Sequence, residues 1–522
     1  MRTFRMHLQT KQNPKDSMTE QGIAVSCHNV RFRYFQQNRK NILDGCSMTV
    51  RKGTITVLMG RSGCVKSTLA ALLSGLYPEN GGFLEDGSIQ LFGKPIEGYP
   101  FPERAAHVSM MFQNPDLQFC MRTLRKEMRF CLENLSCPRE QMDARIEKAA
   151  EATGMTNFLD RDLFTLSGGE KQKAELTCIF LLQSKLIVLD EPFGNIDMKW
   201  ARKIRDLLIK KNKEDGTTIL IIDHSLDYFM DYFDELKVMD SRGTICAGIT
   251  RETLTQYESL FRREGLRWPY DRHEGTHPDL SGQVSIPSIT LQSASIYAGK
   301  KRHTCKSPIL SGVEAIFPKG RITAILGPSG SGKTTLFRAI LGQQKYDGSI
   351  CLEGNEVKKM SSAKRFQQVG IVFQNPSNQF ITQNVLQEVE EGLKTTERNP
   401  DSLEKKAKDL LKAFHLERFV RYSPYMLSQG QQRRLAVLAI LSGTQKVLLL
   451  DEPTYGQDDA MTKEIMTMLR NRVEEEGLTV VLTTHDLAVV QDYADTCYLV
   501  QDGILKERSM ADIDDGKIKS FL

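Results

Sequence analysis

The sequence predicts an α/β protein built from two homologous domains, each organised around a mainly parallel sheet. Three observations predict it. At 522 residues the chain is too long for one ordinary core. A series of short phrases occurs twice in the same order. Finally, short apolar runs such as KLIVLD and KVLLLD alternate with stretches of helical periodicity, the pattern of strand–helix–strand units.

The repeats fix the domain register. FQNPDLQF at 112–119 returns as FQNPSNQF at 373–380, and TLSGGEKQK at 165–173 as MLSQGQQRR at 426–434. LIVLDEP at 186–192 returns as VLLLDEP at 447–453, and IIDHSLD at 221–227 as LTTHDLA at 482–488. Gln113/Gln374, Ser167/Ser428, Asp190/Asp451 and His224/His485 are each 261 positions apart, whereas Lys66/Lys333 are 267 apart. The six-residue difference falls in the polar, glycine-rich YPENGGFLEDGS of the first copy, where insertion is cheap. The expected division is a tail over 1–21, a first domain over 22–260, a linker over 261–287 and a second domain over 288–522. The linker, FRREGLRWPYDRHEGTHPDLSGQVSIP, is rich in charge, Gly and Pro.

Composition narrows the class. A net charge of +5 from 70 basic and 65 acidic residues gives no reason to expect a nucleic-acid partner. No apolar run is long enough for a membrane span. The 11 cysteines are scattered without a C-x-x-C pair, as expected of reduced thiols in the cytosol.

In each copy a short strand runs into a glycine loop followed by a helix: GTITVLMG then GRSGCVKST, and GRITAILG then GPSGSGKTT. This is the context of a phosphate-binding loop. In the second, Gly327, Gly330 and Gly332 let the backbone wrap a phosphate chain, and the helix adds its positive end. Lys333 is expected to reach the β- and γ-phosphates and Thr334 to ligate Mg²⁺, with Thr335 beside it. The first loop offers Gly60, Gly63, Lys66, Ser67 and Thr68 but carries Val65 where the pattern has glycine. A β-branched residue narrows the accessible φ/ψ there, so two outcomes are open: slow turnover at this loop, or a side chain that points away at little cost. Asp190 and Asp451 are candidate Mg²⁺ ligands. Glu191 and Glu452 are candidates to orient or deprotonate the attacking water, and His224 and His485 to contact the γ-phosphate.

Glycine loop, FQ segment, LSGGE, acidic pair and histidine, in this order and twice, resemble the ATP-binding-cassette (ABC) ATPases. The resemblance covers nearly all of the chain except tail and linker. It implies two P-loop NTPase domains, each with a small antiparallel β part and a helical subdomain. It also implies head-to-tail pairing with two ATPs between the domains. One composite site would join Lys333, Thr334, Gln374, Asp451, Glu452 and His485 to Ser167 and Gly169, with Glu170 in place of the usual glutamine. The other would join Lys66, Ser67, Gln113, Asp190, Glu191 and His224 to Ser428 and Gly430, with Gln429 in place of a glycine. Gln113 and Gln374 would add to the Mg²⁺ ligands Ser67, Asp190, Thr334 and Asp451. Tyr34 and Tyr297 would stack on adenine.

Tandem cassettes serve transporters, ribosome-associated translation factors and DNA-repair proteins. The short linker and the absence of zinc-type cysteine insertions favour transport. FQNPDLQF, FQNPSNQF, ENL at 133–135 and PTYGQD at 453–458 resemble the ATPases of energy-coupling factor importers, which take up vitamins or metal ions. The resemblance then implies a membrane-embedded coupling subunit and a substrate-binding membrane subunit as partners, and a peripheral place on the cytoplasmic face of the cell membrane. A translation factor or the motor of a sugar importer are the alternatives.

Overall fold

In the computed structural model the described residues are 22–35, 41–115, 118–194, 196–271, 286–297, 307–328, 330–394 and 397–514. The tail over 1–21 and most of the expected linker lie outside them.

The first domain begins with β1 (Ile23–Tyr34), β2 (Leu43–Arg51) and β3 (Ile55–Gly60), then α1 (Lys66–Leu73), β4 (Gly82–Leu91) and β5 (Lys94–Pro95). There follow α2 (Phe101–His107), β6 (Val108–Met111) and three helices, α3 (Leu124–Asn134), α4 (Arg139–Thr153) and α5 (Gly168–Leu182). The domain closes with β7 (Leu186–Asp190), α6 (Met198–Asp215), β8 (Thr218–Ile222), β9 (Glu235–Met239), β10 (Ile245–Ile249) and α7 (Glu258–Arg263). The main sheet has the order β10-β9-β3-β8-β7-β6, parallel except for the edge pair β9/β10. A second, antiparallel sheet has the order β2-β1-β4-β5.

The second domain repeats the plan. Its strands and helices are β11 (Pro287–Ile296), β12 (Leu310–Pro318), β13 (Ile322–Leu326), α8 (Lys333–Ile340), β14 (Tyr346–Leu352), β15 (Asn355–Glu356), α9 (Ser362–Gln368) and β16 (Val369–Val372). Then come α10 (Val385–Leu393), α11 (Pro400–Ala413), α12 (Gln429–Leu441), β17 (Val447–Asp451), α13 (Asp459–Glu476) and β18 (Thr479–Thr483). It ends with α14 (Leu487–Tyr493), β19 (Thr496–Gln501), β20 (Ile504–Arg508) and α15 (Met510–Asp514). The sheet orders are β16-β17-β18-β13-β19-β20 and β12-β11-β14-β15.

The central strands are buried on both faces, which is why ITVLMG, LIVLD and TILII read as unbroken apolar runs. Their side chains alternate between two cores. Ile55, Val57 and Met59 pack toward α6, while Leu58 packs with α1 and the antiparallel sheet. In the first domain α3–α5 enclose a core of their own, whereas in the second the equivalent helices share one continuous core with the sheet.

The stretch after Phe261, expected to be linker, is structured as far as it is described. Phe261, Leu266 and Trp268 are buried in the first domain's core, with the Phe261 and Trp268 rings 5.2 Å apart. Their apolar side chains outweigh the surrounding charge that marked the segment as open chain.

Candidate functional site

Both glycine loops lie at the carboxyl ends of parallel strands, between β3 and α1 and between β13 and α8. Lys66 Nζ donates to the carbonyls of Gly60 (2.7 Å) and Arg61 (2.9 Å), and Lys333 Nζ to those of Gly327 (2.6 Å) and Pro328 (3.1 Å). Each lysine is thus buried under its own loop; burial pushes the Lys333 ammonium below its ordinary range.

The residue before each lysine is left-handed, Val65 at φ 65° and Gly332 at φ 107°. Glycine takes this conformation freely, whereas a β-branched residue there carries strain of about 1–2 kcal/mol. The space differs as well. A Cβ on Gly332 would stand 2.7 Å from Ile309 Cγ2. Val65 has room: it packs beside Ile42 and Leu43, and Gly243 has no side chain to meet it. The first loop therefore keeps its shape with a strained hinge.

The acidic pairs end β7 and β17. In the second domain Thr334 Oγ1 donates to Asp451 Oδ2 (2.6 Å) and Thr483 Oγ1 to Asp451 Oδ1 (2.7 Å). In the first, burial and the neighbouring Glu191 push Asp190 up to about 7, against a lowering hydrogen bond from Ser67. Asp190 Oδ1 is buried and has no hydrogen-bond partner among the described residues. Thr334 with Asp451, and Ser67 with the orphaned Asp190 oxygen, are hard oxygen donors at one point beside each loop, a set that fits Mg²⁺.

Glu191 and Glu452 both have positive φ, 50° and 55°, which turns their carboxylates out of the strand line. Glu191 accepts from Gln113 Nε2 (2.8 Å) and lies 2.7 Å from His224 Nε2. Glu452 Oε1 lies 3.0 Å from His485 Nε2. Burial raises the Glu452 pKa, but His485, Lys333 and Arg433 outweigh it and hold the carboxyl at about 2. Glu191 is likewise held low, burial being outweighed chiefly by His224.

The signature segments form helix N-termini. Ser167 caps α5 and Ser428 caps α12, each closing a reciprocal box with the residue three positions on. Glu170 returns to Ser167 N at 2.8 Å and Gln431 to Ser428 N at 3.0 Å, so carboxylate and amide serve alike. The Gln429 departure is also sterically cheap. A Cβ on its counterpart Gly168 would meet nothing within 4 Å. Gly430 is different: a Cβ there would lie 3.2 Å from Gly456 O and 3.3 Å from Ser62 Oγ.

That last contact crosses between domains. The second domain's signature segment faces the first domain's loop, and Ser62 N donates to Asp458 Oδ2 at 2.8 Å. The segment after α7 joins in, since Arg61 donates to the carbonyls of Arg263 and Glu264, both at 2.6 Å. On the other side the charge of Asp197 reaches Lys333. Asp197 and Asp458 were missed in the sequence reading, although they too are 261 positions apart.

Tyr34 donates to or accepts from Thr68 Oγ1 (2.6 Å), its ring edge-on to Phe32 and Tyr77. Tyr297 donates to Asp347 Oδ2 (2.9 Å) beyond the end of β11. Both are engaged at strand ends rather than free. Arg433 was also missed. On α12 it donates to the carbonyls of Glu452 and Gln374, where the first domain has Gln172 donating to the Glu191 carbonyl at 3.0 Å.

Two glycine loops, two acidic pairs, two histidines and two serine-capped signature helices, one of them facing the other domain's loop, define a tandem nucleotide-hydrolysing cassette. The family model described as "ABC transporter" matches residues 43–194 and 310–455, and the chain belongs to this family. It is an ATP-hydrolysing enzyme. It is 35% identical over 489 residues to the "Putative HMP/thiamine import ATP-binding protein" of Bacillus subtilis, covering 90% of this chain and 88% of that one. It is 30% identical to a "Putative ABC transporter ATP-binding protein" of Methanosarcina acetivorans, covering 88% and 82%. The solved structure of an "RNase-L Inhibitor" overlays with a TM-score of 0.64 at 17% identity, covering 95% of this chain and 93% of that one, a likeness of fold.

Proposed function

We propose that the chain is the ATP-driven motor of an importer of the energy-coupling factor type, taking up a vitamin or metal ion through separate membrane subunits. The observation that carries this is an apolar face on the second domain's helical part. Ile381, Tyr422, Tyr425 and Met426 are exposed there, Ile381 at 81%. They adjoin the FQNP segment: Tyr425 donates to the Phe380 carbonyl at 3.1 Å, and Val385 N to the Tyr422 carbonyl at 3.0 Å. An apolar patch of this kind on a nucleotide motor suits a docking helix of a membrane protein. The name of the Bacillus subtilis relative supports the vitamin class. No helix among the described residues is long and apolar enough to cross a membrane, so translocation falls to partners.

In this reading ATP draws the domains together and hydrolysis releases them, a two-state element biased by nucleotide. Each loop and its lysine hold the phosphates, and the facing Ser428 or Ser167 helix end closes on the γ-phosphate. Ser67, Asp190 and Gln113, or Thr334, Asp451 and Gln374, would hold Mg²⁺, which supplies charge neutralisation to the phosphate oxygens. A carboxylate at about 2 is a weak proton acceptor but a constant hydrogen-bond acceptor. Glu452 therefore orients the attacking water, and His485 holds Glu452 in place. The Glu452 centre carries most turnover and the strained Val65 loop less.

The test is affinity capture of the tagged chain from gently solubilised membranes. A polytopic coupling protein and a small membrane-embedded binding protein in stoichiometric amounts are expected. Recovery with ribosomes and no membrane partner would sink the importer reading while leaving the ATPase intact.

A further inference from the structure

Tyr455 and Gly194 occupy equivalent positions in the two domains, each three residues after its Glu-Pro pair begins the loop (DEPTYG and DEPFG). In the structure they meet across the domain interface. A Cβ built on Gly194 would lie 2.2 Å from Tyr455 Oη and 2.3 Å from its Cε2, so the ring fills the place a side chain would take. The Tyr455 hydroxyl is buried and has no hydrogen-bond partner among the described residues. The neighbouring backbone lies close to the first domain's carboxylate: a Cβ on Gly456 would be 3.8 Å from Glu191 Oε2.

The ring is supported from its own side. Arg433 Cζ stands 5.0 Å from the Tyr455 ring centroid while its guanidinium donates to the Glu452 and Gln374 carbonyls. One side chain thus touches the backbone of the second nucleotide centre and the group that reaches the first. The first domain has no counterpart to this device, with Gln172 and Gly194 in these positions.

The geometry points to Tyr455 as a positioning residue that the second domain supplies to the first domain's centre, its hydroxyl donating to the Glu191 carboxylate when the domains close on ATP. This rests on the reading of Glu191 as the water-orienting group. Burial and the charge of Glu191 raise the phenol's pKa, so the hydroxyl is a donor throughout the physiological range. Because Arg433 grips the Glu452 and Gln374 backbone, the donor's position follows the state of the second centre.

The experiment isolates the first centre in full-length Glu452→Gln protein and measures single-turnover ATP cleavage with Mg²⁺. Tyr455→Phe, which keeps the ring, is expected to lower the cleavage rate about tenfold, the effect of one hydrogen bond to a charged group, with the ATP concentration for half-saturation within about twofold. Gly194→Ala, which displaces the hydroxyl without altering Tyr455, is expected to reproduce the loss. In Glu191→Gln protein, where cleavage belongs to the second centre, the loss on Tyr455→Phe is expected to be at least about threefold smaller. Equal losses in the two backgrounds, or no loss in the first, overturn the proposal. The Glu191→Gln/Glu452→Gln double variant separates the two readings. If the cleavage left in Glu452→Gln survives there, or if none is left to begin with, Glu191 is not the acting group and both readings fall. If it is abolished there yet indifferent to Tyr455→Phe, only the tyrosine assignment falls.

Discussion

The two glycine loops have the same fold and different tolerances. In the second, Gly332 is left-handed and its Cβ position is already filled by Ile309 and Leu310. In the first, Val65 adopts a similar backbone and its side chain has been given a place beside Ile42 and Gly243. A departure from a motif can thus be absorbed sterically while its conformational cost stays. The Gln429 departure teaches the reverse, since it stands in ordinary helix at a position whose counterpart Gly168 has open space.

The sharpest way to break this comparison is at the two carboxylates. Glu452→Gln is expected to lower steady-state phosphate release about 100-fold or more, and Glu191→Gln about threefold or less. Comparable losses would end the idea of unequal centres. Next come the loops. Gly332→Val imposes both the left-handed strain and a clash with Ile309, and is expected to destabilise the second domain by about 2–4 kcal/mol in denaturant titration. Val65→Gly relieves about 1–2 kcal/mol of strain but gives up the packing on Ile42, so a net change within about 1 kcal/mol is expected. A Val65→Gly variant with several-fold faster turnover in the Glu452→Gln background would identify the strained hinge as the cause of the slow centre.

A third contrast lies under the signature helices. Glu175 is fully buried on α5 where the second domain has Ala436, accepts from Phe112 N at 2.7 Å, and is pushed by burial up to about 8. Its folded pKa exceeds the unfolded value near 4.5, so the folded domain keeps a proton that the unfolded chain releases. The stabilisation is complete below that lower value and is lost as pH rises toward 8, with a slope of up to about 1.4 kcal/mol per pH unit. Glu175→Gln keeps the bond to Phe112 and is expected to flatten the slope in calorimetric unfolding between pH 5 and 8 (roughly the window set by the two pKa values). An unchanged slope would assign the pH dependence to Asp190 and Asp223, whose pKa values are raised in the same domain. The smallest effect is reserved for Glu170→Gln. Because Gln431 closes the same capping box, a shift of only a few tenths of a kcal/mol is expected.

Much of this was legible because the chemistry is local and occurs twice. A glycine loop between strand and helix, an acidic pair at a strand end and a serine opening a helix are set by neighbouring residues. The repeat interval aligned them without knowledge of the fold. Contacts across the interface were not legible. Nothing near Ser62 announces Asp458, nearly 400 residues away, and nothing in DEPFG says that its glycine receives a tyrosine ring. The start of the expected linker, 261–271, was illegible for a related reason. Charge and proline concealed that Phe261, Leu266 and Trp268 bury their side chains against a core assembled from distant strands.

The tyrosine–glycine contact carries a consequence for how such a molecule arises. In a dimer of identical subunits, residues that meet on the twofold axis must meet their own copies, so a tyrosine there would collide with a tyrosine and a glycine would leave a hole. Once the two halves differ in sequence, a knob can evolve on one side and its socket on the other. The divergence of the two halves thus frees the axis from symmetry and lets them specialise, and their fusion in one chain keeps knob and socket paired.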